Sequence, residues 1–158
     1  MAREHRVTVS STVAAPLEAV WDLILRMDRY EEWIESTIEL VGADPHMTVG
    51  ASFEERSRVS GLFTARLRWT LRELEPLTRI AFDGDGVAVV RGLGFALDVA
   101  DLGGSTEFSL TLWYTPRFGP VGSLVDWLTR SNVTNDQKRS VRTFAILAEG
   151  PRGEPAPA

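Results

Sequence analysis

Two side chains of opposite charge, Glu55 and Arg91, lie in segments that otherwise alternate between apolar and polar residues. Such alternation sends every second side chain of a strand to the same face. In the segment from Ala51, Glu55 shares its parity with Phe53, Ser57 and Val59; in the segment from Val87, Arg91 shares its parity with Val87, Val89, Leu93, Phe95, Leu97 and Val99. Parity therefore predicts that both charges point to the buried side, where an unpaired charge is costly. Two readings follow. Arg91 polarises a ligand carbonyl or stabilises an enolate while Glu55 moves a proton; or the two form a structural ion pair, or a bulge turns one of them outward.

Tyr114 has the parity of Phe108, Leu110 and Leu112 and ends its segment. Its hydroxyl either orients a ligand oxygen or donates a proton, or it is a satisfied group at the edge of the core. Arg66, Arg68 and Arg72 alternate with Leu67, Trp69 and Leu71, which places them on a solvated outer face. Other apparent motifs fail on spacing. Gly92-Leu93-Gly94 lacks the third glycine of a dinucleotide loop, and Ser123 lacks the surroundings of a nucleophile elbow. His5 and His46 have no clustered companions, so no metal site is expected. With no cysteine in the chain, thiolate chemistry and disulfides are excluded. No cofactor is expected.

The elements that must position these residues are readable from periodicity. Val7, Val9 and Val13 alternate with Thr8, Ser10 and Thr12, the pattern of a strand with one buried face. Pro16 suits a first helical position, and Leu17, Val20, Trp21 and Ile24 then recur at helical spacing. Strands are predicted from Ser36 to Gly42, Ala51 to Val59, Phe63 to Leu74, Arg79 to Asp83, Val87 to Asp98 and Ser105 to Thr115, with Ser60-Gly61, Gly84-Asp85-Gly86 and Gly103-Gly104 among the turns. A long helix is predicted from Val121 to Glu149, stopped by Gly150-Pro151. Its apolar stripe slips in phase: Val121, Leu124, Val125 and Leu128 form one face and Val133, Val141, Phe144 and Ala148 another, with Asn132 and Asn135 at the join. A kink or a cavity-facing polar patch explains the slip, as does an apolar first half serving as a lid or a homodimer contact.

At 158 residues, with 44% hydrophobic and 25% charged residues, the chain is expected to fold as one domain over residues 1–150, followed by a disordered Pro-rich tail at 151–158. The net charge of -5 argues against a nucleic-acid partner held by general electrostatics. Val87 to Val99 is shorter than the ~20 residues of a membrane span and is broken by charge, so no integral membrane segment is expected. Without a signal-peptide pattern, the expected location is cytoplasmic.

Three local features then carry a resemblance: Ala15-Pro16 with Val20-Trp21, Tyr30 with Trp33, and Arg117-Phe118-Gly119-Pro120-Val121-Gly122 opening the last helix. Together, over about Val7 to Glu149, they resemble the SRPBCC, or START-like and Bet v 1-like, superfamily, and within it the small bacterial polyketide cyclase/dehydrase proteins. The resemblance implies an α+β helix-grip fold, in which a curved seven-stranded antiparallel sheet wraps a long C-terminal helix, with two short helices after the first strand. It also implies a cavity holding a small hydrophobic molecule that is polyketide-, lipid- or aromatic-like. Combined with parity, this makes Trp33, Phe53, Ser57, Leu67, Trp69, Phe82, Val89, Phe95, Phe108 and Leu110 candidate ligand-binding residues, joined by Asn132 and Asn135 from the helix. Arg91, Glu55 and Tyr114 are the candidate catalytic residues.

Function stays open between three roles. One is cofactor-free cyclisation or dehydration by a cyclase or aromatase type of enzyme, with shape holding the reacting carbons together. Another is a non-catalytic carrier of a hydrophobic metabolite, and the third a toxin-antitoxin type component acting through a protein partner. Polyketide aromatase/cyclases use an arginine in this part of the sheet, which parity does not match to one position here.

Overall fold

Alternation becomes strand and the 3.6-residue stripe becomes helix along most of the chain. The computed structural model describes residues 3–59, 63–117 and 119–150, with the backbone alone at 59, 63 and 119–131. The expected Ser60-Gly61 turn and the expected tail at 151–158 lie outside the described residues. The order is β1 (His5–Val13), α1 (Leu17–Leu25), a 3-10 helix (Met27–Glu32), β2 (Thr37–Val41), β3 (Ser52–Val59), β4 (Phe63–Glu75), β5 (Arg79–Asp85), β6 (Val90–Asp101), β7 (Thr106–Pro116) and α2 (Gly119–Glu149). All seven strands form one antiparallel sheet in the order β1-β7-β6-β5-β4-β3-β2. Strands β2 to β7 run as a meander and β1 returns to pair with β7, while α2 packs on β1 and β7. This is the α+β helix-grip architecture.

Pro16 stands one position earlier than expected. It is the extended residue before α1, with φ -66 and ψ 154, and its carbonyl accepts the first helical bond from Val20 N at 3.1 Å. Val20, Trp21, Leu23 and Ile24 form the buried face of α1. The end of this helix leaves carbonyls without partners inside the helix. The Tyr30 hydroxyl donates to one of them, Ile24 O, at 2.8 Å, which brings the 3-10 helix back under α1.

From there Tyr30 stands in the middle of the core. It is fully buried and edge-on to Trp33, Phe53, Phe82 and Phe95 at centroid distances of 5.3 to 6.5 Å. Edge-to-face packing of this kind adds about 0.5–1.5 kcal/mol per pair beyond burial. Burial pushes the Tyr30 phenol well above its ordinary range, so it stays a donor. Trp113 lies on the other face of the sheet. It clusters with Ala81 and Ala96 and takes Arg6 over its ring at 5.0 Å and Arg72 at 5.8 Å.

One local feature overturns the parity argument for Arg91. Arg91 pairs with Thr115 while Gly94 pairs with Trp113, so three residue steps of β6 oppose two of β7. The extra residue is a β-bulge, and Gly92 absorbs it in the left-handed region at φ +59. Beyond the bulge every side chain changes face. Phe95, Leu97 and Val99 point inward, whereas Arg91 joins the outer parity of Trp113 and Thr115 and is exposed. Val89 is also displaced from its expected place, because β6 begins only at Val90; it lies in the preceding turn and is 38% exposed.

Candidate functional site

The concave face of the sheet can be followed strand by strand. Phe53 pairs with Trp69, Trp69 with Gly84, Leu71 with Phe82, Phe82 with Phe95, and Phe95 with Leu112. Gly84 is the odd member of this row. A Cβ there would overlap the six-membered ring of Trp69, so only glycine lets the indole lie across the neighbouring strand. The indole then meets Phe95 edge-on at 4.8 Å, and Phe95 stacks on Phe82 at 4.7 Å.

The placement of Trp69 aims its Nε1 at Glu55. Trp69 Nε1 donates to Glu55 Oε2 at 2.5 Å and Thr37 Oγ1 donates to Glu55 Oε1 at 2.7 Å. Glu55 is 5% exposed. Its inward direction is as parity predicts, but its partners are a tryptophan and a threonine. Among the described residues no Lys, Arg or His lies within ion-pair distance of it, and Arg91 is on the opposite face. The expected Glu55–Arg91 pair is therefore absent.

The remaining sequence candidates divide cleanly. Trp33, Phe53, Ser57, Leu67, Trp69, Phe82, Phe95, Phe108 and Leu110 are all buried. Ser57 Oγ donates to Ser36 O at 3.3 Å. Tyr114 is buried on the concave parity, beside His5 with ring centroids 5.6 Å apart. Glu55 and Tyr114 both lie beyond the Phe53–Phe95–Leu112 row, yet β3 and β7 are four strand spacings apart. At about 4.8 Å per spacing this is roughly 19 Å along the sheet, with the buried rings of Phe82 and Phe95 on the strands between them.

Asn132 and Asn135 are corrected. Both are exposed on α2, because the helix runs from Gly119 to Glu149 and its inner face is set by Gln137, Ser140, Val141 and Phe144. The apolar first half expected to act as lid or dimer contact falls where side chains lie outside the described residues. Phe144 stacks on Phe108 at 4.0 Å and meets Trp33 edge-on at 5.0 Å. Continuing the Val141–Phe144–Ala148 stripe one turn back lands on Gln137, the signal in the sequence that parity-based reading passed over. Tyr30, Phe144 and Gly84 are the other missed contributors.

Near the sheet edge, Ser140 Oγ accepts the backbone N–H of Glu35 at 2.8 Å and donates to Asp136 O at 2.9 Å. Burial, and then the nearby Glu35, raise the Asp136 carboxyl above the ordinary value of 3.8. A groove of about 770 Å³ runs between β1 and the second half of α2, lined by Val9, Lys138, Val141, Arg142 and Ala145 among others. Among the described residues no cluster of metal-ligating side chains occurs, and no helix is long and apolar enough to cross a membrane.

A curved antiparallel sheet gripping a C-terminal helix is the START-like fold. The chain belongs to the family described as polyketide cyclase / dehydrase and lipid transport, whose model matches residues 4–149. Among solved structures it is similar to the Zhui aromatase/cyclase of a Streptomyces species, with a TM-score of 0.78 and 18% identity over 93% of this chain and 94% of that one. It is also similar to a START superfamily protein of Mycobacterium smegmatis, with a TM-score of 0.64 and 15% identity over 87% and 97%. These likenesses establish the fold. Two Mycobacterium tuberculosis proteins, Toxin Rv0910 and Toxin MT0934, are each 27% identical over 145 residues, covering 89% of this chain and 98% of their own.

Proposed function

We propose that this protein binds a small hydrophobic molecule, polyketide-, lipid- or aromatic-like, against the concave face of its sheet. The observation that carries the reading is the wall itself: a row of aromatic rings ending in a buried carboxyl group, Glu55, that has hydrogen-bond donors and, among the described residues, no cation beside it. Family membership supports it independently. Cofactor-free cyclisation or dehydration is the finer form of the proposal. With Arg91 on the outer face, it would rest on Glu55 as the proton-transfer group, with Tyr114 on the same face of the sheet.

The test has two stages. Native mass spectrometry of protein purified from its own host, together with titration of apolar fluorescent probes, asks whether anything binds; a protein that is empty and binds no probe would sink the proposal. Glu55→Gln then separates turnover from carriage. Its amide oxygen can still accept from Trp69 Nε1 and its N–H₂ can donate to the Thr37 hydroxyl, so the fold is kept while proton transfer is removed. Loss of product with binding retained supports catalysis, and equal behaviour supports a carrier.

The toxin names of the two mycobacterial relatives favour a second reading, action through a protein partner. Growth arrest on induction, abolished by a co-expressed neighbouring protein, would support that reading over the first.

A further inference from the structure

Strand β1 is the last strand of the sheet on its side, paired with β7 and with no strand beyond it among the described residues. The direction of its backbone groups follows from the ladder. Leu102 N donates to Ser105 O across the β6–β7 turn, and bonded pairs of an antiparallel ladder recur at every second residue. Ala100–Glu107 and Asp98–Ser109 are therefore bonded pairs, which leaves Phe108 and Leu110 to turn their N–H and C=O groups towards β1. Their partners there are Ser11 and Val9. Ser10 and Thr12 consequently direct theirs away from the sheet, to the open edge. Ala14, next on that side, already donates its N–H to Glu149 Oε1 of α2 at 3.0 Å, and Thr12 O receives the Ser11 hydroxyl at 3.5 Å.

The groove of about 770 Å³ between β1 and α2 opens on this edge. Consecutive residues of β1, Val9 to Thr12, line it, so it meets the backbone rim of the strand and not one face alone. Val141 and Ala145 extend the apolar floor from Val9, while Lys138 and Arg142 stand one turn apart on the rim, both exposed. Among the described residues neither cation has a hydrogen bond or an ion pair. Glu149, the carboxyl group of the groove, lies about two turns farther along α2 and is tied to Ala14.

We propose that the open edge of β1 receives an extended acidic segment of a partner protein as an added strand. Its backbone would complete the outward N–H and C=O groups of Ser10 and Thr12, its apolar side chains would cover Val9, Val141 and Ala145, and its carboxylates would meet Lys138 and Arg142. Val9 to Thr12 spans roughly 14 Å and Lys138 to Gly150 roughly 18 Å, room for about five extended residues. A second copy of this chain fits less well, because β1 carries His5 and Arg6 and no carboxylate to offer the two cations. The inference does not depend on what the concave face binds.

Three heptapeptides of alternating pattern test this: Val with Glu, Val with Lys, and Pro with Glu. The last keeps the charge of the first, but its prolines cannot donate to a strand ladder. With saturating Val-Glu peptide, hydrogen exchange of the Ser10 and Thr12 amides, read by NMR on the full chain, should slow by about tenfold or more. The other two peptides should leave it unchanged. Lys138→Glu combined with Arg142→Glu should weaken Val-Glu binding on the order of tenfold; the peptide series on the unmodified protein stands without this variant. Unchanged exchange with the Val-Glu peptide, or equal effects of all three, would overturn the proposal. So would amides already protected in the protein alone: protection lost on dilution would assign the edge to a second copy, and protection lost on deleting residues 151–158 would assign it to the chain's own C-terminal segment.

Discussion

The indole of Trp69 spans its own strand, with its six-membered ring over Gly84 of β5 and its Nε1 donating to Glu55 of β3, joining the aromatic row on the concave face to its buried carboxyl group through a single donor. Trp69→Phe keeps a ring but strands Glu55 Oε2. Urea unfolding should show a loss of about 1–3 kcal/mol, the cost of a buried acceptor left unsatisfied. Glu55→Gln should cost less than Trp69→Phe, since both hydrogen bonds can re-form. The reverse order would mean that the bond does not hold the carboxyl group in solution.

Gly84 allows this geometry by lacking a Cβ. Gly84→Ala places a methyl group into the Trp69 ring and should destabilise by about 1–3 kcal/mol, as overpacking does. It should also change the tryptophan emission spectrum. Wild-type stability would show that the indole sits elsewhere.

Arg91 makes the opposite prediction to the one its parity suggests. The bulge at Gly92 leaves it exposed, so Arg91→Ala should stay within about 0.5 kcal/mol of wild type and leave probe binding unchanged. A lost activity or affinity would place its guanidinium in the site after all.

Asp136 supplies a pH test. Burial and Glu35 raise its carboxyl above 3.8, so the native state holds this proton more tightly than the unfolded chain does. That contribution is complete below the unfolded value and is lost as pH rises through the higher native one. Asp136→Asn should therefore melt at a higher temperature than wild type at pH 7, and the gap should close towards pH 3. A gap independent of pH would point to a cause other than titration.

Tyr30→Phe removes the hydroxyl that caps Ile24 O and leaves the ring packing in place. The expected loss is about 1–3 kcal/mol, seen as a lower urea midpoint with an unchanged slope.

Local periodicity determined the element order, the inner face of β3, β4 and β7, the solvated side of Arg66, Arg68 and Arg72, and the inward direction of Glu55. In β3, in β7 and in β4 as far as Leu71, where the register shifts, a run of alternating residues was long enough for one apolar anchor to phase its neighbours. Tertiary structure decided what phase alone does not carry. A one-residue bulge in β6 reversed Arg91 because register is set by the partner strand β7. The inner face of α2 settled on Gln137 rather than Asn132 or Asn135 because β1, Phe108 and Trp33 fix its rotation. The partners of Glu55 are Trp69 and Thr37, residues 14 and 18 positions away, and only the approach of β2 and β4 to β3 could choose them over a guanidinium of matching charge.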